Sequence, residues 1–183
     1  MLPSRLLPKT PRTRFVSRPL RARSGKKSSN TDRRDSFQGR GMAMDKERWE
    51  HFSHGADIGV RGFGASKESA FEQAGLAAIA AMVDLATVKE QTTLSVECEA
   101  PDDELLLVDW LNAIVFQIAT RKMLFHRFEI KIKGDHLSAN LYGEKIDLER
   151  HQPCVEIKGA THTEARVYRE PHDGWVAQCV VDV

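Results

Sequence analysis

Asp182 and Val183 close a strand-like apolar run, so an aspartate side chain and the carboxylate of the last residue leave one element together. Trp175, Val176, Ala177, Cys179, Val180 and Val181 form that run behind Asp173-Gly174, the pattern of a strand buried on one or both faces. Chain ends ordinarily fray, and this pattern predicts an end that is pinned. Two pinned carboxylates present up to about four oxygens within a few ångström, which suits a hard cation such as calcium or magnesium rather than a soft metal. Such a site calls for a further acidic ligand, and Asp57 is the candidate.

Asp57 stands in His51-Phe52-Ser53-His54-Gly55-Ala56-Asp57-Ile58-Gly59. Two histidines and an aspartate at this spacing could be zinc ligands, although zinc sites normally gather three or four N, S or O ligands in a recognisable arrangement. The plainer reading makes His54 and Asp57 polar loop groups, with Asp57 accepting backbone N–H bonds as turn aspartates do. Residue types alone favour the plainer reading.

The elements around these residues follow from periodicity. Ile58 to Phe63 reads as a short strand closed by Gly62 and Gly64. Ser66 then offers an N-cap with Glu68 and Ser69 in the first turn, and Ala70, Phe71, Ala74, Ala77, Ala78, Ala81 and Met82 recur at helical spacing to about Leu85. Thr92 to Ala100 alternates like a half-buried strand. A second helix begins after Pro101, with Asp102 and Asp103 at its N-terminus and a wide apolar arc through Ile118. Phe128, Ile130 and Ile132, the turn Gly134-Asp135, and Leu137, Ala139 and Leu141 read as a hairpin. Val155 with Ile157, Ala165 to Tyr168, and the terminal run supply three more strand candidates. The order predicts an α+β fold with two helices on one face of a mainly antiparallel or mixed sheet.

Charge divides the chain. Residues 1–41 carry nine Arg and three Lys against Asp32 and Asp35, a formal +10, and the total of +1 leaves −9 for residues 42–183. The arm has four prolines and few apolar residues, a composition that cannot bury enough surface to offset its ordering entropy and predicts disorder. It reads as a segment upstream of a start at Met42 or Met44, as an Arg-rich transit peptide, or as a tether for nucleic acid or membrane. No apolar run approaches the ~18 residues that cross a membrane, which predicts a soluble, cytoplasmic body. Cys98, Cys154 and Cys179 are widely spaced, contrary to a disulfide framework or zinc cluster, and fit a reducing compartment.

The wider set of motifs resembles the archease family over residues 49–183. The pieces that carry it are His54-Gly55-Ala56-Asp57-Ile58-Gly59, Glu68 to Met82-Val83-Asp84, Asp103 to Asn112 with its Leu-Leu and Trp-Leu pairs, Gly143-Glu144, Ile157-Lys158-Gly159-Ala160-Thr161, and Trp175 to Asp182-Val183. Each is weak alone; their order and the terminal Asp-Val make the match specific. The resemblance implies no catalytic residue of its own but an accessory protein for the GTP-dependent RNA-splicing ligase of tRNA splicing and RNA repair, promoting its activation and turnover. It further implies a divalent metal, typically calcium, with magnesium or manganese as alternatives, on Asp57, Asp182 and Val183. Asp84, Lys158 and His54 are further candidate functional polar residues. One departure is that the family's Lys-Ala-x-Thr-Tyr-His pattern reads Lys158-Gly159-Ala160-Thr161-His162-Thr163 here, so no role of that histidine in relatives carries over to His162.

An acidic body is poorly suited to gripping RNA phosphates and better suited to docking on a basic protein surface; RNA contact is expected only through the ligase. The chain has no P-loop and no GxSxG elbow. Two other classes compete: a metal-dependent hydrolase with Asp57, Asp84 and Asp182 as ligands and His54 or His162 as base, and a chaperone or RNA-binding module working through the basic arm.

Overall fold

A computed structural model describes residues 16–17, 47–171 and 174–183. Eight strands form two four-stranded sheets in which every pairing is antiparallel. The first sheet has the order β1 (Val16–Ser17), β4 (Thr92–Glu99), β6 (His136–Lys145), β5 (Met123–Lys133). The second has the order β2 (Arg48–His54), β3 (Asp57–Gly64), β8 (Gly174–Asp182), β7 (Gly159–Glu170). The helices α1 (Lys67–Met82) and α2 (Asp103–Arg121) lie against both sheets, and a short α3 spans Leu148–His151. The α+β expectation holds, and the strands that sequence left as one mainly antiparallel or mixed sheet divide into two.

The first helix begins where its cap places it. Ser66 accepts from the Ser69 N–H at 3.2 Å, and the Ser66 N–H donates back to Ser69 Oγ at 3.1 Å, a reciprocal box in which serine does the work usual for Glu or Gln. The alanine-rich face lets α1 sit directly on β3: a Cβ at Gly62 would collide with the backbone of Ala70 and Ala74. Gly62 is thus needed for close approach. In α2, Asp102 accepts from the Leu105 N–H at 2.8 Å, and Asp103 and Glu104 complement the dipole of the first turn. Trp110 is fully buried, its indole N–H donating to the Phe71 carbonyl at 3.1 Å and its ring meeting Phe128 edge-on. This contact ties the two helices across the core.

The Gly134-Asp135 hairpin forms as expected, with Lys133 opposite His136 and Gly134 at φ +63°. Val155 and Ile157 do not form a strand. That stretch runs over the end of α1, held by the Cys154 N–H on the Met82 carbonyl at 3.0 Å, with Ile157 buried. The strand β2 and the helix α3 were not legible from periodicity. The reading of residues 1–41 as a disordered arm falls outside the described residues, apart from Val16 and Ser17, which pair with Ser95 and Leu94. Cys98 and Cys179 are buried among apolar neighbours, which pushes both thiols up to about 12. Neither is a reactive cysteine. No helix among the described residues is long and apolar enough to cross a membrane.

Candidate functional site

Four strand ends meet at one end of the second sheet. The two-residue turn Gly55-Ala56, with Gly55 at φ +60°, folds β2 onto β3 so that His54 stands opposite Asp57. Ile58 pairs with Val181, so the next step of the same antiparallel register sets Asp57 opposite Asp182. Gly159 pairs with Asp182 from the other side, and the Lys158 N–H donates to the Asp182 carbonyl at 2.9 Å. Paired residues of antiparallel strands point the same way, roughly 5 Å apart at Cβ. His54, Asp57 and Asp182 therefore form one row across the sheet.

Alternation fixes which face carries that row. Val60 and Val181 belong to the helix-facing core and Ile58 packs against it, so the row lies on the opposite face. His51, three residues before His54, points the other way and donates from Nε2 to the Ala77 carbonyl at 2.7 Å. The two histidines cannot share one metal ion, which removes the zinc reading of this motif. Among the described residues, no three His, Cys, Asp or Glu side chains converge to hold a metal ion. Asp57 and Asp182 stand side by side in the row, and the Val183 main-chain oxygen follows at the end of β8; these are oxygen donors, whose chemistry suits a hard cation rather than a soft one.

Lys158 already brings positive charge to this set. Its Nζ donates to the Val183 oxygen at 2.7 Å and lies 4.0 Å from Asp182 Oδ1. The backbone beneath it is fixed from α2, because the Asn112 amide donates to the Ala160 carbonyl at 3.2 Å and accepts from the Ala160 N–H at 2.8 Å. Asn112 thereby stands in for the neighbouring strand that the edge strand β7 lacks. Glu104 does the same further along, accepting from the Val167 N–H at 3.2 Å. The sequence signal for Asn112 was one of two amides, with Gln117, set within the apolar arc of α2.

Asp84 comes to the same end by a different route. The helix α1 runs antiparallel to β3, with Ala70 and Ala74 against Gly62 and Ala77 against His51, so Met82 to Asp84 emerge toward Asp57. The Asp84 side chain is exposed and caps the 3-10 turn Leu85–Thr87, accepting from the Ala86 N–H at 2.9 Å. The segment after it is clamped by Glu144, which sequence reading counted only among the family pieces. Glu144 is 2% exposed and accepts from the Lys89 N–H at 2.7 Å and from both terminal nitrogens of Arg150 at 2.7 and 2.8 Å. His151 Nε2 adds a longer contact at 3.3 Å, while its Nδ1 accepts from the Asp147 N–H. Arg150, with the Lys89 N–H and His151, holds the Glu144 carboxyl down at about 2 against its burial. Arg150 also donates to the Thr87 carbonyl at 2.9 Å, closing the clamp over the turn that Asp84 starts.

His162 lies elsewhere. It falls in the irregular stretch of β7 between Thr161 and Arg166 and faces Asp109, whose carboxyl is raised by burial and lowered by His162. An open cleft lined by Glu47, Ser66, Glu68, Glu72 and Lys133 sits at the start of α1, the far end from Asp57.

Comparison with known proteins decides the family. The profile of the Archease protein family matches residues 49–183. The chain belongs to the archease family. It is 38% identical over 141 residues to the protein archease of Pyrococcus abyssi, covering 75% of this chain and 99% of that protein. The protein archease of Pyrococcus furiosus is 35% identical over 140 residues, with 74% and 99% covered. The solution structure of Methanobacterium thermoautotrophicum protein 1598 superposes with a TM-score of 0.64 at 30% identity, covering 74% of this chain and 98% of that one. The archease match thus takes in β2 to β8 with both long helices, and with them every candidate residue of the site.

Proposed function

We propose that this archease-family chain is an accessory protein of the GTP-dependent RNA-splicing ligase, promoting its activation and turnover in tRNA splicing and RNA repair in the cytoplasm. Asp57, Asp182 and Val183 would hold a divalent cation, with calcium best suited to their oxygens and magnesium or manganese as alternatives. The observation that carries the reading is the row at the sheet end: β3, β8 and β7 arrive in a register that sets Asp57 beside Asp182 and Lys158 on Val183. When bound, the cation would supply a fixed positive charge at an acidic end of the molecule.

The residues themselves do the rest. Glu144 and Arg150 clamp the turn behind Asp84, and Asn112 holds the start of β7, so the polar groups of this end are displayed on a rigid frame. The −9 of residues 42–183 favours encounter with a basic protein surface, as a ligase that handles RNA and GTP must expose. RNA is reached through that partner, and the chemistry of ligation stays with the ligase.

Asp57→Asn and Asp182→Asn each remove charge at nearly constant shape. Each is expected to weaken calcium and manganese binding roughly tenfold or more, the scale of one lost charge contact at a partly solvated site. Ligase stimulation should fall in step while the melting temperature stays near that of the parent. Calorimetric titration with both ions is the measurement, and unchanged affinity in both variants would remove the metal from this account.

A further inference from the structure

Lys158 stands at this end on oxygens that the proposed cation would also use, and its part in binding that cation has still to be assigned. Its ammonium rests on the Val183 oxygen at 2.7 Å and reaches to within 4.0 Å of Asp182 Oδ1, so it occupies oxygens that the proposed cation would use. A hard divalent ion sits about 2.3–2.6 Å from its oxygen ligands. An ion on the Val183 oxygen would then lie within about 5 Å of the ammonium, close enough for strong like-charge repulsion.

The side chain is free to leave and the backbone is not. Lys158 is 64% exposed and Asp182 51% exposed along their side chains, so the ammonium can swing into water on its flexible stem. The main chain is held by the Lys158 N–H on Asp182 and by Asn112 on Ala160. Exchange of one cation for another therefore requires no rearrangement of the sheet.

We infer that Lys158 is the resident counter-ion of this oxygen cluster, displaced when a divalent cation binds, so that loading the site releases the Lys158 ammonium from Val183. The inference rests on the metal reading above and adds a competitor built into the chain. Lys158 thus lowers the affinity of the site while offsetting part of its negative charge in the cation's absence.

The test uses the whole protein and calcium chloride alone, with titration calorimetry at low ionic strength. Lys158→Gln is expected to bind calcium about three- to tenfold more tightly than the parent, and Lys158→Arg, which keeps the charge, to bind much as the parent does. A second readout needs no variant: acylation of the Lys158 amine by a mild reagent, followed by mass spectrometry, should run faster in calcium than in chelator. Equal or weaker calcium binding by Lys158→Gln, with the parent binding normally, overturns the inference and leaves the metal site standing. Acylation that slows in calcium overturns it as well. No calcium binding by parent or variant overturns both the metal reading and the inference.

Discussion

Glu144→Ala is expected to destabilise the fold by about 3 kcal/mol at pH 7, the free energy that corresponds to a carboxyl held at about 2 instead of 4.5. Glu144 is almost wholly buried, so solvent does little to screen its contacts. Its removal also leaves the Lys89 N–H without the acceptor it has at 2.7 Å. For a folded body of this size the melting temperature should fall by roughly 10 °C. The pH dependence identifies the cause. The folded-state value lies below the ordinary one, so the contribution is fully present above about 4.5 and is lost as pH falls toward about 2. The gap in melting temperature between parent and variant should therefore narrow steadily over that window. Thermal melts by circular dichroism from pH 7 to pH 2 measure it, and a gap that stays constant would mean the carboxylate charge is not what stabilises the clamp.

The second large effect concerns Val183. Joining an affinity tag to its carboxyl group replaces a charged oxygen pair with a neutral amide and forces new atoms into the space that Lys158 and Asp182 share. Calcium affinity is expected to drop by at least about tenfold, from the loss of one full charge among the proposed ligands, and ligase stimulation with it. Deleting Val183 should also be harmful, because the new carboxyl group on Asp182 sits one residue back, roughly 3.3 Å along the strand. A tag at the other end should be harmless. Side-by-side calorimetry of the two tagged proteins decides the matter; equal affinities would show that the Val183 carboxylate is not a ligand.

Much of the frame was legible because its signals are local. The apolar run from Trp175 to Val181 behind Gly174 forms β8, the Gly134-Asp135 turn forms its hairpin, and the Ser66 and Asp102 caps start α1 and α2. The strand β2 was missed because each of its faces carries one aromatic among polar residues, Trp49 beside His51 and Phe52 beside Glu50, so no apolar alternation marks it. Val155 and Ile157 looked like a strand because two apolar residues alternate, yet the segment is held by Cys154 on the end of α1 rather than by a neighbouring strand.

The site was legible in part. Asp57, Asp182, Val183 and Lys158 could be named from motifs, and the structure brings them to one sheet end through strand registers that no local pattern encodes. His54 joins the row, while Asp84 shares the end and is engaged as a cap. Glu144 was visible only as a motif piece and Asn112 only as the end of one, because their roles depend on the Lys89 N–H and on Ala160, which lie far away in sequence and which no local pattern brings to them.

The central claim is tested most directly by a ligation assay in which the cognate RNA-splicing ligase is present well below its RNA substrate, with GTP and calcium or manganese, with and without this chain. The account predicts that the ligase alone stalls near one turnover and that adding the chain yields many, with Asp57→Asn and Asp182→Asn restoring little of that gain. Ligation that proceeds to the same extent and at the same rate without the chain would contradict it.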